Sequence, residues 1–218
     1  MRGHIAPIKT LKFSKTFKVC ISVDTDGVVI IWDLTRFKFI RKIKPPVHTE
    51  HARVLVSISN DTGNIVTIHS TRYSNVLTIY TINGEVILDK KLKPGFVTCV
   101  TFGSINDSQV NSGARLTTNN HAYWSHDIVA LAFGSPHRSI DISEIVPVTD
   151  SSEPAKGQSW LLQSSNTIHL DKSDYGIMGS ITALELFKET EIDTEDKICR
   201  GHLKLILGDS TGRRRLVL

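Results

Sequence analysis

The sequence predicts an all-β protein built from repeated four-stranded sheets, the architecture of a β-propeller. Short segments rich in β-branched residues and bounded by turn residues run along the chain; they include VVIIW, RVLVSI, NIVTIH, VLTIYTI, FVTCVTF and IVALAF. Similar first-strand patterns reach Phe13, Ile58 and Phe102, at intervals of 45 and 44 residues, and Leu186 after a further 84. A repeat of about 40–45 residues with four short strands is typical of a propeller blade.

The repeat divides the chain into about four blades or partial blades, at residues 3–45, 51–93, 95–172 and 179–218. The third unit is long because two polar, strand-poor stretches, 103–127 and 149–157, are interpreted as inserted loops that offer variable binding surfaces. The segment ITALELFKETEIDTED has helical propensity, but its first half alternates as a strand does. Four partial blades do not close a ring, so we expect an incomplete propeller, a fragment of a longer chain that is poorly soluble alone.

The first unit carries the clearest motif. Gly3-His4 precedes the first strand, IKTLKFS, and Trp32-Asp33 ends the third, VVIIWDL. The separation of 28 positions from the histidine to the tryptophan fits the interval between G-H and W-D in a WD repeat. Between them, KVCISVD is the predicted second strand, Asp26-Gly27 the tight hairpin turn, and FKFIRKI follows as the outermost strand.

A WD unit of this kind contains a buried hydrogen-bond chain. Here its predicted members are His4, Ser22, Asp26 and Trp32. A buried indole N–H and a buried imidazole both need partners, so these residues are expected to stabilise the fold and not to catalyse a reaction.

The later units are degenerate. In the second, NDTGN forms the first turn, Tyr80-Thr81 stands where W-D would be, and Asn83-Gly84 makes a tight hairpin. The last contains LKLILGDSTGRRRLVL, a strand followed by a D-S-T-G turn and part of another strand.

These residues resemble the C-terminal WD-repeat propeller of BEACH-domain proteins. The first unit, followed by NDTGNIVT and IYTINGE, carries the resemblance, and LILGDSTGR looks like that family's last blade. The resemblance implies a non-enzymatic adaptor surface that acts in membrane trafficking, vacuolar or lysosomal sorting, and autophagy. It also implies a cytoplasmic location, peripheral to endomembranes. The sequence contains neither a BEACH domain nor a lipid-binding zinc finger, so its partners are expected to be other proteins and the remaining blades or BEACH domain of a longer chain.

A different pathway would suit the same fold, because ubiquitin-ligase receptors and vesicle coat subunits also use WD repeats. Net charge is +4 with a pI of about 9.0, and Lys or Arg alternates with apolar residues in KTLKFSKTFK and RFKFIRKIK. Such a face favours acidic lipids or nucleic acid, or it is a solvated sheet surface. The basic strands lack aromatic residues arranged for base stacking, so nucleic-acid binding is not expected.

Motifs that suggest chemistry are incomplete, so we predict no catalytic, cofactor-binding or metal-binding residues. Asp24-Thr-Asp-Gly27 lacks the third ligand and the distal glutamate of a calcium loop. His48 and His51 would need two further zinc ligands. The G-D-S-T-G segment at 208–212 resembles a serine-protease nucleophile loop but is explained by a hairpin turn. The chain contains no run of about 18 apolar residues and no secretory signal, which agrees with a cytoplasmic location.

Overall fold

The computed structural model describes residues 3–44, 53–71, 73–106, 125–134, 138–148, 159–170, 180–192 and 199–217. These residues form fifteen strands, β1 to β15, and no helix, so the predicted all-β fold is confirmed. Within the same ranges, no helix is long and apolar enough to cross a membrane. The strands form four antiparallel sheets, each made of strands that follow one another along the chain.

Sheet 1 contains β1 (Ile8–Ser14), β2 (Val19–Asp24), β3 (Val29–Asp33) and β4 (Lys38–Ile43), paired in chain order. The two middle strands are almost entirely buried, which explains why they read as continuous β-branched runs. The outermost strand, β4, is exposed along all of its length except at Ile43. Its free edge therefore lies at the periphery of the molecule.

Sheet 2 contains β5 (Arg53–Ile58), β6 (Ile65–Ser70), β7 (Asn75–Tyr80) and β8 (Val86–Leu92). Sheet 3 contains β9 (Val97–Asn106), β10 (Ser125–Phe133), β11 (Ser139–Val148) and β12 (Ser159–His169). Sheet 4 contains β13 (Ile181–Ile192), β14 (Cys199–Asp209) and β15 (Arg214–Val217). The segment with helical propensity is therefore a strand, because Leu184 and Leu186 alternate towards the core with the period of two that a sheet requires.

The sheets stack face to face in chain order, and an apolar cluster fills each junction. Sheet 1 packs on sheet 2 around Ile31 and Ile65, sheet 2 on sheet 3 around Ile68 and Val129, and sheet 3 on sheet 4 around Ala132 and Leu207. The first strands β1, β5, β9 and β13 contact one another in that order. First strands at the centre and sheets radiating outward are the arrangement of propeller blades.

The first predicted inserted loop is shorter than its assigned range of 103–127. Strands β9 and β10 continue pairing until Asn106 meets Ser125, so both ends of the predicted loop belong to the sheet. The sequence pattern predicts these strands too short because their ends are polar. Their backbone groups nevertheless form hydrogen bonds with one another in the ladder. The described residues do not include the rest of this loop, 107–124, or the second predicted loop at 149–157. They also do not include His48 and His51. The four sheets fall within the four ranges assigned to blades, and the limits of those units stay a prediction.

Candidate functional site

A buried polar chain connects the sheet 1 residues that the sequence analysis singled out. The Trp32 indole Nε1 donates to Ser22 Oγ at 2.7 Å, and Ser22 Oγ lies 2.6 Å from His4 Nε2. His4 Nδ1 lies 2.8 Å from Asp24 Oδ2, and both of these side chains are at most 5% exposed. One neutral tautomer satisfies every group: Nδ1–H donates to the carboxylate, and Nε2 accepts the serine hydroxyl proton. The polar atoms of this buried hydrogen-bond chain bind one another, so the arrangement is structural and not that of a nucleophile.

The aspartate of this chain is Asp24, so the prediction of Asp26 was wrong. Asp24 Oδ1 also accepts the backbone N–H groups of Asp26, at 3.1 Å, and Val28, at 2.9 Å. Asp24 is buried at the end of β2, whereas Asp26 is exposed in the turn. The strand period gave a signal that was overlooked: Asp24 follows Ser22 by two residues and therefore lies on the same face.

Two glycines make room for this arrangement. Gly27 has a φ of +78°, and a Cβ there would lie 3.0 Å from His69 Cε1 in sheet 2. A Cβ at Gly3 would lie 3.0 Å from Ile30 Cδ1 and 3.2 Å from the Trp32 ring. The first glycine allows the turn and the approach of sheet 2, and the second allows the segment before β1 to lie against the tryptophan.

Asp33, the last of the predicted positions, holds the turn between β3 and β4. Its Oδ1 accepts the backbone N–H groups of Thr35, at 2.7 Å, and Arg36, at 3.1 Å. The hydrogen bond from the Arg36 backbone, followed by that from Thr35, lowers the pKa of the exposed Asp33 carboxyl below its usual value. Asp33 lies outside the buried chain and instead fixes the conformation of the exposed loop that follows it.

The turn in sheet 4 repeats the turn in sheet 1. Asp209 Oδ1 accepts the backbone N–H groups of Thr211, at 2.9 Å, and Arg213, at 3.0 Å, the same i+2 and i+4 spacing as at Asp24. Gly212, with a φ of +84°, occupies the position of Gly27. The serine-protease-like segment at 208–212 is thus an aspartate-centred hairpin turn.

Another buried carboxylate, which no sequence motif predicts, joins sheet 2 to sheet 3. Asp127 accepts hydrogen bonds from Thr62 Oγ1, at 2.9 Å to each oxygen, and from Asn64 Nδ2, at 2.7 Å. Burial raises the pKa of Asp127 above its usual value, and these hydrogen bonds oppose the shift. The interaction spans more than 60 residues of sequence. Such a contact between sheets carries no local sequence signal.

The first strands surround a central cavity of about 600 Å³. Its charged lining residues are Lys12, Arg53, Glu185 and Arg214, and Cys99 also faces it. Burial raises the pKa of the Cys99 thiol above its usual value, against the smaller opposing effects of a Thr98 hydrogen bond and of Arg53 and Lys12. A raised pKa disfavours the thiolate, so the cavity does not activate a cysteine nucleophile.

Known proteins resemble this chain in sequence over part of its length. No family model matches the sequence. The chain is 26% identical over 146 residues to Beige protein homolog 1 of Saccharomyces cerevisiae, which covers 66% of this chain and 6% of that protein. It is 34% identical over 89 residues to the human lysosomal-trafficking regulator, which covers 39% of this chain and 2% of that protein. The resemblance to BEACH proteins is confirmed. The chain spans only a small part of these BEACH relatives, so what the whole proteins do does not transfer directly.

Solved structures show the fold. The WD40 domain of SCAP from fission yeast has a TM-score of 0.57 at 8% identity and covers 98% of this chain and 45% of that chain. KlAtg21, in its complex with the coiled-coil of AgAtg16, has a TM-score of 0.59 at 11% identity and covers 98% of this chain and 53% of that chain. The prediction of an incomplete WD-repeat propeller agrees with these neighbours. At this level of identity the similarity concerns architecture alone.

Proposed function

We propose that this chain is a non-enzymatic protein-interaction scaffold of a BEACH-type protein that acts in membrane trafficking and in vacuolar or lysosomal protein sorting. The match of 146 residues to Beige protein homolog 1 carries the proposal, supported by the name of the human relative, a lysosomal-trafficking regulator. The role that follows is cytoplasmic and peripheral to endomembranes. The partners are other proteins, bound through the sheet edges and loops, together with the remaining parts of a longer protein.

The chemistry of the described residues supports a binding role. The polar atoms of the sheet 1 chain satisfy one another, and both oxygens of the Asp127 carboxylate accept hydrogen bonds from Thr62 or Asn64. The pKa of the Cys20 thiol is raised by burial, which makes it a poor nucleophile. Among the described residues that line the central cavity, Glu185 is the one carboxylate and histidine is absent, so a general acid–base pair is not assembled there.

Affinity purification of the tagged full-length parent protein tests the proposal. We expect endosomal or vacuolar sorting proteins to co-purify, and we expect loss of the protein to missort a vacuolar hydrolase. An unrelated WD-repeat protein with the same tag and expression level is the control for non-specific capture. Recovery of ubiquitin-ligase or coat subunits in place of sorting proteins would reject the proposal in favour of another pathway.

A further inference from the structure

The outer strand of sheet 1 presents a continuous basic and aromatic surface, which we name the basic rim. All of its members are exposed: Arg36, Phe37, Lys38, Phe39, Ile40, Arg41 and Lys42. They occupy the turn before β4 and most of that strand, which is the last strand of its sheet. The rim is therefore an outer edge of the sheet that faces solvent.

Positive charge is concentrated in the first 44 residues, and four of their cations, Arg36, Lys38, Arg41 and Lys42, belong to the rim. Residues 1–44 contain ten Lys or Arg against three Asp and no Glu, a net charge of +7, whereas the whole chain has +4. The remaining residues must therefore carry a net charge of −3. No ion pair among the described residues involves a rim cation. The positive field of the rim is thus available to an anionic partner.

The rim also exposes large apolar side chains between its cations. Phe37 is 73% exposed, Phe39 52% and Ile40 44%. Phe37 has a φ of +53°, a left-handed conformation that is rare for a bulky residue. The hydrogen bonds from Thr35 and Arg36 to Asp33 hold this turn, so the fold maintains a strained backbone that displays a phenyl ring to solvent.

Packing beneath the rim gives it a fixed shape. The Phe39 ring meets the Trp32 ring edge-on, with centroids 6.0 Å apart at 84°. The Arg41 side chain crosses the hairpin of sheet 2, where a Cβ at Gly84 would lie 2.5 Å from Arg41 Cδ. The aromatic and cationic groups are therefore presented by a rigid sheet edge.

We infer that the basic rim docks this protein onto an anionic membrane surface. Lys and Arg attract acidic lipid headgroups, and an exposed aromatic ring between them can bury itself at the boundary of headgroups and acyl chains. A peptide added to the free edge of β4 would be held by backbone hydrogen bonds, and it would not account for the exposed aromatic side chains between the cations. The inference deepens the proposed trafficking function and rests on it only for its biological setting.

The corresponding edge of sheet 2 offers a matched control. Strand β8 is also outermost and exposes Val86, at 60%, and Lys91. Lys90, next to Lys91, donates from Nζ to the Leu162 carbonyl oxygen at 3.0 Å. Asp89 reduces the net positive charge of the β8 edge. The two edges therefore share their position in the fold but differ in the combination of charge and aromatic groups.

Vesicle flotation of the whole chain, in which aggregated protein stays at the bottom of the gradient, tests the inference. Phosphatidylcholine vesicles containing phosphatidylserine are compared with vesicles of phosphatidylcholine alone, at increasing salt. We expect binding to the anionic vesicles only, weakening as salt rises. Lys38→Gln together with Lys42→Gln should weaken it by about 25-fold, since each interfacial cation contributes about fivefold. Phe37→Asn, which suits the positive φ and so preserves the fold, should weaken binding with little change in its salt dependence.

The control pair, Val86→Asn and Lys91→Gln, should leave vesicle binding unchanged, and circular dichroism checks that every variant is folded. Equal binding to neutral vesicles, or anionic binding that the rim variants leave intact, would overturn the inference. Tighter binding to duplex DNA or single-stranded RNA, lost in the same variants, would also overturn it and assign the rim to nucleic acid. These results are independent of the affinity purification, so the scaffold proposal can fail or stand separately.

Discussion

Replacement of Asp24 by alanine is expected to destabilise the protein strongly, whereas the same change at Asp26 is expected to have little effect. The Asp24 carboxylate accepts three hydrogen bonds, from His4 Nδ1 and from the backbone N–H groups of Asp26 and Val28. Hydrogen bonds to a charged group contribute about 1.5–3 kcal/mol each, but the turn can relax and water can reach its exposed side. We therefore expect a loss of about 3–5 kcal/mol for Asp24→Ala, from buried donors left without an acceptor.

Asp26→Ala is the matched control, because it removes an exposed aspartate two residues away and keeps the backbone N–H that Asp24 binds. Its expected effect is about 0.5 kcal/mol or less. Urea denaturation followed by tryptophan fluorescence measures both free energies of unfolding. Thermal melts should show a fall of about 6–20 °C for Asp24→Ala. Equal losses in the two variants, or a larger loss for Asp26→Ala, would refute the assignment of the buried acceptor to Asp24.

Two further predictions concern the junction of sheets 1 and 2. Burial lowers the pKa of His69, and its Nδ1 has no partner among the described residues. The ordinary pKa of histidine is 6.5, so just below that pH the unfolded chain binds more protons than the folded chain. The free energy of unfolding should therefore fall as pH drops through that region. His69→Leu should remove this part of the pH dependence, as measured by urea denaturation at a series of pH values. Gly27→Ala should cost more than Gly212→Ala. Both glycines have positive φ, but a Cβ at Gly27 would meet His69 at 3.0 Å and one at Gly212 would meet nothing within 4 Å. Gly212→Ala should thus cost only the backbone penalty of about 1–2 kcal/mol, and equal losses would contradict a steric role for His69.

The sequence predicts the sheets well because the residues of each strand and of its flanking turns are enough to indicate that strand. The period-two patterns and the turn residues act over a few positions, so β1 to β8 follow closely from local sequence. The same locality explains the failures. Asp24 and Asp26 are the same residue type two positions apart, and only their placement, at the buried end of β2 or in the exposed turn, shows which one binds His4. The pairing of Asn106 with Ser125 joins polar segments that have no apolar alternation to reveal them.

Contacts between sheets lie beyond a local reading. Asp127 in sheet 3 reaches Thr62 and Asn64 in sheet 2, and although both lie in the NDTGN turn, nothing in that motif indicates a partner more than 60 residues away. The basic rim illustrates the intermediate case. Alternation of Lys and Arg with Phe and Ile is visible in the sequence, but the exposure of Phe37 and its positive φ depend on the turn that Asp33 holds.

The repeated aspartate turn has a consequence for the order of folding. At Asp24 and at Asp209, the hydrogen bonds to the backbone span at most four residues, so each hairpin closes at a small cost in chain entropy. The Asp127 contacts close loops of more than 60 residues. We therefore expect the hairpins to form first and the docking of neighbouring sheets to limit the folding rate. A change at Asp24 should then slow folding, and a change at Asp127, which acts in the docking of sheets, should both slow folding and accelerate unfolding.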